Sequence, residues 1–262
     1  MNPLKRVREL YAYRELVKNL VARDLKLRYR SSVLGFAWCL LNPLLMMVVF
    51  TVVFTVMLED NKIEKFPVFI LAGVLAWNLH TTALTSAINS VVGQAALVQK
   101  VYFPREVLPI AAVLSNTVNF LLSLTVLFAM IFLYQVQLTN TLLFLPLVLL
   151  VQVMFTTGVA LFLAALNVFY RDVASIMETL MLAWFFLTPI FYRIEDVFPV
   201  YSRLMYIVNP PASIIAAYRD ILYYGSMSNF DFFSRTVLTS IVVLVLGYAF
   251  FVRLSRNFSE RL

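Results

Sequence analysis

Residues 107–170 read VLPIAAVLSNTVNFLLSLTVLFAMIFLYQVQLTNTLLFLPLVLLVQVMFTTGVALFLAALNVFY, and this stretch contains no Asp, Glu, Lys or Arg. A helix needs about 20 largely apolar residues to cross the ~30 Å hydrocarbon core of a bilayer. The stretch is therefore long enough for two crossings. The polar residues 135–141 and Pro146 divide it, so the sequence predicts two membrane-spanning helices joined by a short polar turn.

The composition of the whole chain also indicates a membrane environment. Of the 262 residues, 62% are hydrophobic and 13% are charged, and the mean hydropathy is +0.86. A soluble domain of this length could not bury so much apolar surface. Because no linker or long soluble block interrupts the apolar segments, we expect one all-α transmembrane domain over residues 1–262. The single cysteine, Cys39, excludes an internal disulfide.

Further apolar segments on both sides of this stretch are long enough to cross the bilayer, where only helices or closed barrels satisfy the backbone. Glu178 is the only acid well inside any of them. Six crossings would place both chain ends on the same side of the membrane. The predicted spans are residues 33–58, 67–91, 107–134, 142–168, 173–192 and 232–252.

The distribution of basic residues sets the expected orientation. Most of the 21 Lys and Arg residues precede the first span, follow spans two and four, or lie in the C-terminal tail. Cytoplasmic segments carry the excess of basic residues in membrane proteins. Both termini are therefore predicted to be cytoplasmic, and the net charge of +7 needs no nucleic-acid partner to explain it.

Residues 1–32 are too charged to span the membrane, but residues 10–30 carry apolar side chains at helical spacing. We expect a cytoplasmic amphipathic helix at the membrane interface. Asp24 and Arg28 are one turn apart on its apolar face, where they could form an ion pair. A membrane anchor and a docking surface for a partner fit this pattern equally well.

Residues 193–231, between spans five and six, are neither apolar enough to cross nor charged enough for a simple solvated loop. Asn209, Pro210 and Pro211 interrupt the apolar part of this segment, and proline breaks helices. We expect short broken re-entrant helices that form an external, gate-like segment. A partly buried external loop with proline turns is the alternative.

The sequence lacks the patterns that ATP binding or catalysis would require. No glycine belongs to a phosphate-binding loop closed by Gly-Lys-Ser/Thr. His80 is the only histidine, so a pair of histidines cannot hold a metal ion. We expect the chain not to be an enzyme by itself and to hold no metal or cofactor.

Span two is unusually polar for a membrane helix, and aromatic residues gather near the outer ends of the spans. A polar face avoids lipid, so it packs against other helices or lines a channel, and the sequence leaves both open. The aromatic residues fit an interface belt or rings that stack on sugars. The polar residues of span two are Asn78, His80, Thr81, Thr82, Thr85, Ser86, Asn89 and Ser90.

Six motifs, in this order, carry a family resemblance over nearly the whole chain. They are RDLKLRYRSSVLGFAWCLLNPLL from residue 23, VLAWNL from 74, KVYFPREVLP from 100, NVFYRDV from 167, FFLTPIFY from 185 and NPPASIIAAYRDIL from 209. Together they resemble the membrane subunit of polysaccharide-exporting ABC transporters, the group that serves O antigen, capsule and teichoic acid.

The resemblance implies a multi-pass protein of the bacterial cytoplasmic membrane that works as two copies forming a channel. Two copies of a separate nucleotide-binding subunit would hold ATP and Mg and hydrolyse the ATP. The expected cargo is a glycan linked to undecaprenyl diphosphate and passed outward. Nothing in the sequence identifies the sugar.

Three sets of candidate site residues follow from the resemblance and from physical reasoning. Inner loops must transmit ATP-driven motion, and the positive-inside rule alone does not require the aromatic residues of the loop after span two. The coupling set is Arg23, Asp24, Arg28, Lys100, Tyr102, Phe103, Arg105, Glu106, Tyr170, Arg171 and Asp172. The channel set is Trp38, Phe50, Phe54, Trp77, His80, Trp184, Phe185, Phe191 and Tyr192, and the gate set is Asn209, Pro210, Pro211, Tyr218 and Arg219.

Other functions remain open from the sequence. A related ABC exporter of another lipid or a drug is the nearest alternative. A membrane-embedded transferase acting on lipid-linked sugars would require Asp24, Glu106 and Asp172 to converge. An ion-coupled transporter would show internal repeats and several ionisable groups within its spans, and neither is evident.

Overall fold

The computed structural model describes residues 12–29, 35–57, 63–194, 200–226 and 230–262. The chain is all-helical over these residues, as the sequence predicts. The α-helices are α1 Arg14–Tyr29, α2 Trp38–Thr51, α3 Phe66–Ile88, α4 Ala95–Lys100, α5 Val107–Leu133, α6 Leu145–Phe169, α7 Val173–Leu187, α8 Ser202–Val208, α9 Pro210–Arg219, α10 Phe230–Leu254 and α11 Phe258–Arg261. A π-helical turn, Val52–Met57, continues α2, and another, Asp220–Tyr224, continues α9.

Four helical segments are long and apolar enough to cross a membrane: Phe66–Ile88, Val107–Leu133, Asn140–Phe169 and Asp231–Asn257. Two further apolar helices, Trp38–Phe54 and Val173–Leu187, are shorter. The shorter helix α7 ends at Leu187 because Thr188 is extended and Pro189 follows. The predicted fifth span, 173–192, therefore contains a helix and a bend.

Helix α3 is the centre of the bundle and α10 lies at its edge. In the most apolar 18-residue stretch of each helix, 78% of the residues are buried in α3 but only 17% in α10. Helix α3 contacts α2, α5, α6, α7 and α9. A helix in this position exposes only a narrow strip of its surface. Polar residues on that strip face the one side of α3 that neighbouring helices leave uncovered.

Helices α6 and α10 make the most extensive contact in the molecule, and two glycines allow their backbones to approach closely. A Cβ atom added to Gly158 would lie 2.6 Å from the backbone nitrogen of Leu244. A Cβ atom on Gly247 would overlap the carbonyl oxygen of Gly158. Small residues at such crossings let membrane helices gain dispersion contacts in the absence of a hydrophobic driving force.

The first and last described helices lie at the same end of the bundle. Leu20 of α1, Phe103 and Phe258 belong to one hydrophobic cluster there. At the opposite end, Lys65 Nζ donates a 2.9 Å hydrogen bond to the carbonyl oxygen of Gln135. We call these the terminal end and the loop end of the bundle.

Helix α1 packs along the first half of α5, and its charged residues pair differently from the expectation. Asp24 accepts from Arg23 at 3.2 Å, whereas Arg28 donates to Asn116 Oδ1 at 3.0 Å. The Asp24–Arg28 ion pair that their spacing allows is therefore not formed. The reason is a contact with another helix, because Asn116 of α5 offers Arg28 an acceptor on the face of α1 that is turned toward the bundle.

The segment between α7 and α10 contains two short helices, α8 and α9, that meet at Asn209. Pro210 and Pro211 occupy the first turn of α9, where proline is tolerated because the first amide protons of a helix have no partner within it. Helix α9 is buried against α3, whereas α8 exposes most of its surface. Residues 195–199 and 227–229 of the predicted gate-like segment lie outside the described residues.

Candidate functional site

The exposed strip of α3 is polar. Thr82 and Thr85 are exposed on the most buried helix of the bundle, and Asn89 is exposed directly after its end. Thr82 donates to the carbonyl oxygen of Asn78 at 2.6 Å, and Ser86 donates to that of Thr82 at 2.7 Å. Both hydroxyl groups thus donate within their own helix, and Ser86 Oγ also accepts from Asn116 of α5 at 3.3 Å. We call this strip the polar track: Asn78, Thr82, Thr85, Ser86, Asn89 and Ser90.

Two cavities lie along the polar track. The larger has a volume of about 580 Å³ and lies between α2, α3 and α5. The smaller, of about 210 Å³, lies nearer the terminal end and is lined by Asp24, Ser86, Asn89 and Gln94 among others. Residues of the track line both cavities, so one face of α3 presents polar groups over its last ~15 Å, and the turn after the helix continues the track.

Several polar groups reach the larger cavity although apolar helices enclose it. Amide side chains from three helices reach it, together with an arginine, two hydroxyl groups and two aromatic rings. The polar and aromatic lining residues are Arg28, Trp38, Asn42, Asn78, Thr82, Asn116, Asn119, Phe120 and Ser123. Convergent polar groups within a membrane bundle are characteristic of a substrate pathway.

The predicted channel aromatics form one cluster nearer the loop end, with the exception of Trp38, which lines the larger cavity. Phe54 stacks on Phe191 with ring centroids 5.2 Å apart, and the rings of His80 and Trp184 are 5.2 Å apart edge to face. The other members are Phe50, Trp77 and Phe185, and Tyr192 packs partly buried against the same core.

The aromatic cluster joins α2, α3 and α7 within one copy of the chain. Trp77, His80 and Phe191 are buried, and His80 Nδ1 lies 2.9 Å from Thr156 Oγ1. The buried rings therefore form part of the hydrophobic core between these helices. Phe186, on the same helix as Trp184, is the exposed member of the group and is available to a ligand or a second copy.

The predicted coupling residues divide into an exposed and a buried group. Tyr102 is 97% exposed and Phe103 only 6%. Arg105 Nη1 donates to the carbonyl oxygen of Ser255, and Tyr248 donates to Glu106 Oε1 at 3.2 Å. The exposed group consists of Arg23, Arg28, Lys100, Tyr102, Tyr170, Arg171 and Asp172.

The C-terminal tail supports the loop of residues 101–106 between α4 and α5, which we call the coupling loop. Sequence reasoning missed this contact. The guanidinium of Arg105 lies 5.9 Å from the ring centroid of Phe258, which is fully buried against Phe251 and Phe169. An apolar residue one turn beyond Leu254 in an otherwise polar tail was the available signal.

The predicted gate residues come together near the loop end. Trp184 Nε1 donates to Asn209 Oδ1 at 2.9 Å, and Asn209 Nδ2 donates to Thr188 Oγ1 at 3.0 Å. Arg219 is buried, donates to the carbonyl oxygen of Pro189 at 2.6 Å and lies 3.6 Å from the ring centroid of Phe69.

Gln152 is a second residue that the sequence reasoning missed. Tyr218 donates to Gln152 Oε1 at 2.8 Å, and Gln152 Nε2 donates to the carbonyl oxygen of Ala76 at 2.6 Å. An amide in the middle of a largely apolar span was the available signal, because membrane helices place such groups toward their neighbours. Gln152 therefore joins the gate segment to the centre of α3.

A bundle of apolar helices with a polar track along its central helix defines a membrane permease. The chain belongs to the ABC-2 type transporter family, whose family model matches residues 15–223. It is 36% identical over 258 residues to an O-antigen export system permease protein of Myxococcus xanthus, covering 98% of this chain and 99% of that protein. It is 30% identical over 247 residues to an O-antigen export system permease protein of Klebsiella pneumoniae, covering 94% of each chain.

Proposed function

We propose that this chain is the transmembrane subunit of an ATP-driven exporter that moves a lipid-linked polysaccharide outward across the bacterial cytoplasmic membrane. The observation that carries the proposal is the near-full-length similarity to O-antigen export permeases, at 36% identity over 98% of this chain. O antigen is therefore the first substrate to test, with undecaprenyl diphosphate as its lipid carrier.

Six crossings with both termini in the cytoplasm fit this function. Besides the four long helices, α2 with its π-helical turn covers residues 38–57, which extend about 30 Å and match the hydrocarbon core. Helix α7 is shorter, and the residues after it complete the fifth crossing. In this arrangement the terminal end faces the cytoplasm and the loop end faces outward, as the distribution of basic residues predicts.

ATP hydrolysis belongs to a partner subunit that docks at the terminal end. Tyr102 and the turn formed by Tyr170, Arg171 and Asp172 present exposed aromatic and charged groups there. The neighbouring Phe103 and Arg105 connect this surface to the C-terminal tail and α10. Movement of a docked ATPase would thus reach a membrane helix through packed side chains.

A second copy of the chain would complete the pathway. Only Met181 of α7 is buried within one copy, although α7 carries the exposed polar residues Ser175, Glu178 and Thr179. A membrane helix with so little packing and such polar groups favours association with another protein surface over lipid. Two copies, each with its own ATPase, are the simplest symmetric assembly.

The surroundings of the three acids do not favour the transferase alternative. It requires Asp24, Glu106 and Asp172 to converge. Glu106 is buried beside Tyr248, Asp24 lies next to Arg23 on α1, and Asp172 is exposed after α6. Each carboxylate therefore has a different environment, so we favour the exporter.

Deletion of the gene in its native host tests the proposal. We expect surface polysaccharide to fall at least about tenfold while its lipid-linked form accumulates on the cytoplasmic side, and we expect the chain and its ATPase together to restore export. An ATPase whose phosphate-binding Lys is replaced serves as the control and should not restore it. Unchanged surface polysaccharide in the deletion strain, or ATP hydrolysis by the purified chain alone, would refute the proposal.

A further inference from the structure

The larger cavity contains unused hydrogen-bonding capacity. Asn42 makes no hydrogen bond to another described residue, and the amide of Asn78 donates only to the thioether of Met46, at 3.4 Å. Thioether sulfur is a weak acceptor. Because a polar amide in a membrane bundle is costly unless it is satisfied, these groups indicate a polar ligand in the cavity.

Arg28 brings a positive charge to the same cavity. Its Nη2 donates to Asn116 Oδ1 at 3.0 Å, and Asn116 is in turn held by donating to the carbonyl oxygen of Ala112 at 2.8 Å and to Ser86 Oγ at 3.3 Å. Among the described residues, no carboxylate forms an ion pair with Arg28. One guanidinium edge is thus fixed, and the remaining donors are available to an anion.

The size and lining of the cavity define the ligand class. A volume of about 580 Å³ falls within the range of small-molecule sites. A guanidinium favours phosphate oxygens, to which it donates two parallel hydrogen bonds. Amide and hydroxyl groups beside Trp38, which is 43% exposed, suit the hydroxyl groups and the C–H face of a sugar.

We propose that this cavity binds the sugar-diphosphate junction of the lipid-linked substrate. Arg28, positioned by Asn116, binds the diphosphate, and Asn42, Asn78 and Trp38 contact the first sugar. The assignment rests on the proposed export function. It gives Arg28, one of the predicted coupling residues, a role in substrate binding instead. It also explains why Arg28 points to α5 and leaves Asp24 to Arg23.

Direct binding measurements test the proposal. The probe is fluorescent farnesyl diphosphate carrying one N-acetylglucosamine, titrated into the intact permease–ATPase complex in phosphatidylcholine nanodiscs. Arg28→Gln should raise its Kd about tenfold or more, as expected for loss of a charge-assisted pair. Lys26→Gln removes an exposed charge from the same helix and should change the Kd by less than about twofold.

A second variant separates sugar contacts from phosphate contacts and covers the case in which Arg28→Gln does not assemble. Asn42 is exposed and without a hydrogen bond in the described residues, so Asn42→Ala should fold normally. It should weaken the sugar-bearing probe several-fold but leave farnesyl diphosphate without sugar unchanged. Equal weakening of both probes, or of neither, would overturn the sugar assignment.

Competition distinguishes the two sources of phosphate chemistry. Farnesyl diphosphate should displace the probe, whereas phosphatidylglycerol at the same mole fraction should not. Displacement by phosphatidylglycerol would make this a site for bilayer headgroups and refute a substrate site. If the wild-type complex exports polysaccharide and binds the probe, but Arg28→Gln binds equally well, this inference fails while the export function stands.

Discussion

At the scale of single residues, the coupling loop places two neighbouring aromatics in opposite environments. Tyr102 is 97% exposed and Phe103 is 6% exposed. A large exposed aromatic at the tip of a short loop contributes little to the stability of the free chain. A buried aromatic of the same size contributes about 3–5 kcal/mol when compared with alanine.

Tyr102→Ala should therefore weaken capture of the ATPase subunit without destabilising the permease. We expect the thermal midpoint of the detergent-purified chain to stay within about 1 °C, because an exposed side chain loses few contacts. The amount of ATPase retained in a pull-down should fall about tenfold, as for the loss of an aromatic interface anchor.

Phe103→Ala is the matched control for this experiment. It should lower the thermal midpoint by several degrees, because it empties part of the terminal-end cluster. If Tyr102→Ala retains the ATPase at the wild-type level, Tyr102 does not lie in the docking surface.

Residue-level prediction from the sequence succeeded where local chemistry decides and failed where a distant partner decides. The break at Asn209 follows from two prolines, which limit the backbone whatever surrounds them. The expected Asp24–Arg28 pair is wrong because Arg28 bonds Asn116, 88 residues away. Similarly, the contact of Arg105 with Ser255 joins residues 150 apart, and no periodicity within either segment encodes it.

At the scale of helices, the close crossing of α6 and α10 depends on the absence of side chains. Helix α10 is the least buried of the four long helices, so its place in the bundle relies heavily on this one contact. The hydrophobic pattern predicts both helices but not their contact, because an apolar helix in lipid has no preferred apolar face. Glycines in apolar spans are the signal that sequence analysis could have used.

Gly247→Ala should destabilise the bundle, although it adds only one methyl group. The added Cβ would meet the carbonyl oxygen of Gly158, and overpacking of this kind costs about 1–3 kcal/mol. We expect the thermal midpoint to fall by roughly 3–10 °C.

Gly93→Ala is the control for this change, because a Cβ atom added to Gly93 would have no atom within 4 Å. It should leave the midpoint nearly unchanged. A Gly247→Ala protein as stable as the Gly93→Ala protein would show that α6 and α10 cross differently from the structure described here.

At the scale of the whole molecule, the asymmetry between the two ends supports a directed exporter. The terminal end combines basic segments, the exposed tip at Tyr102 and a buried tail. The loop end holds the short helices α8 and α9, tied to α7 and α3 through Asn209 and Arg219. The polar track and its cavities lie between them, so in the proposed exporter a force applied at the terminal end would act on helices that line these cavities.

This arrangement predicts the side of the membrane on which each exposed tyrosine lies. In a Cys39→Ser background, Tyr102→Cys should react with a membrane-impermeant maleimide only after spheroplasts are lysed. Tyr201→Cys, at the start of α8, should react in intact spheroplasts, because Tyr201 is exposed near the loop end. The measurement is the labelled fraction of each variant by gel shift before and after lysis.

Each cysteine variant serves as the control for the other, because the same cells, reagent and background are used for both. If both variants react in intact spheroplasts, or if both are protected, the terminal and loop ends do not lie on opposite sides of the membrane. The coupling surface would then be out of reach of a cytoplasmic ATPase, because a docked subunit can act only on segments on its own side of the bilayer. Opposite labelling would place the force-receiving loop inside and the broken helices outside, which is the order that outward export requires.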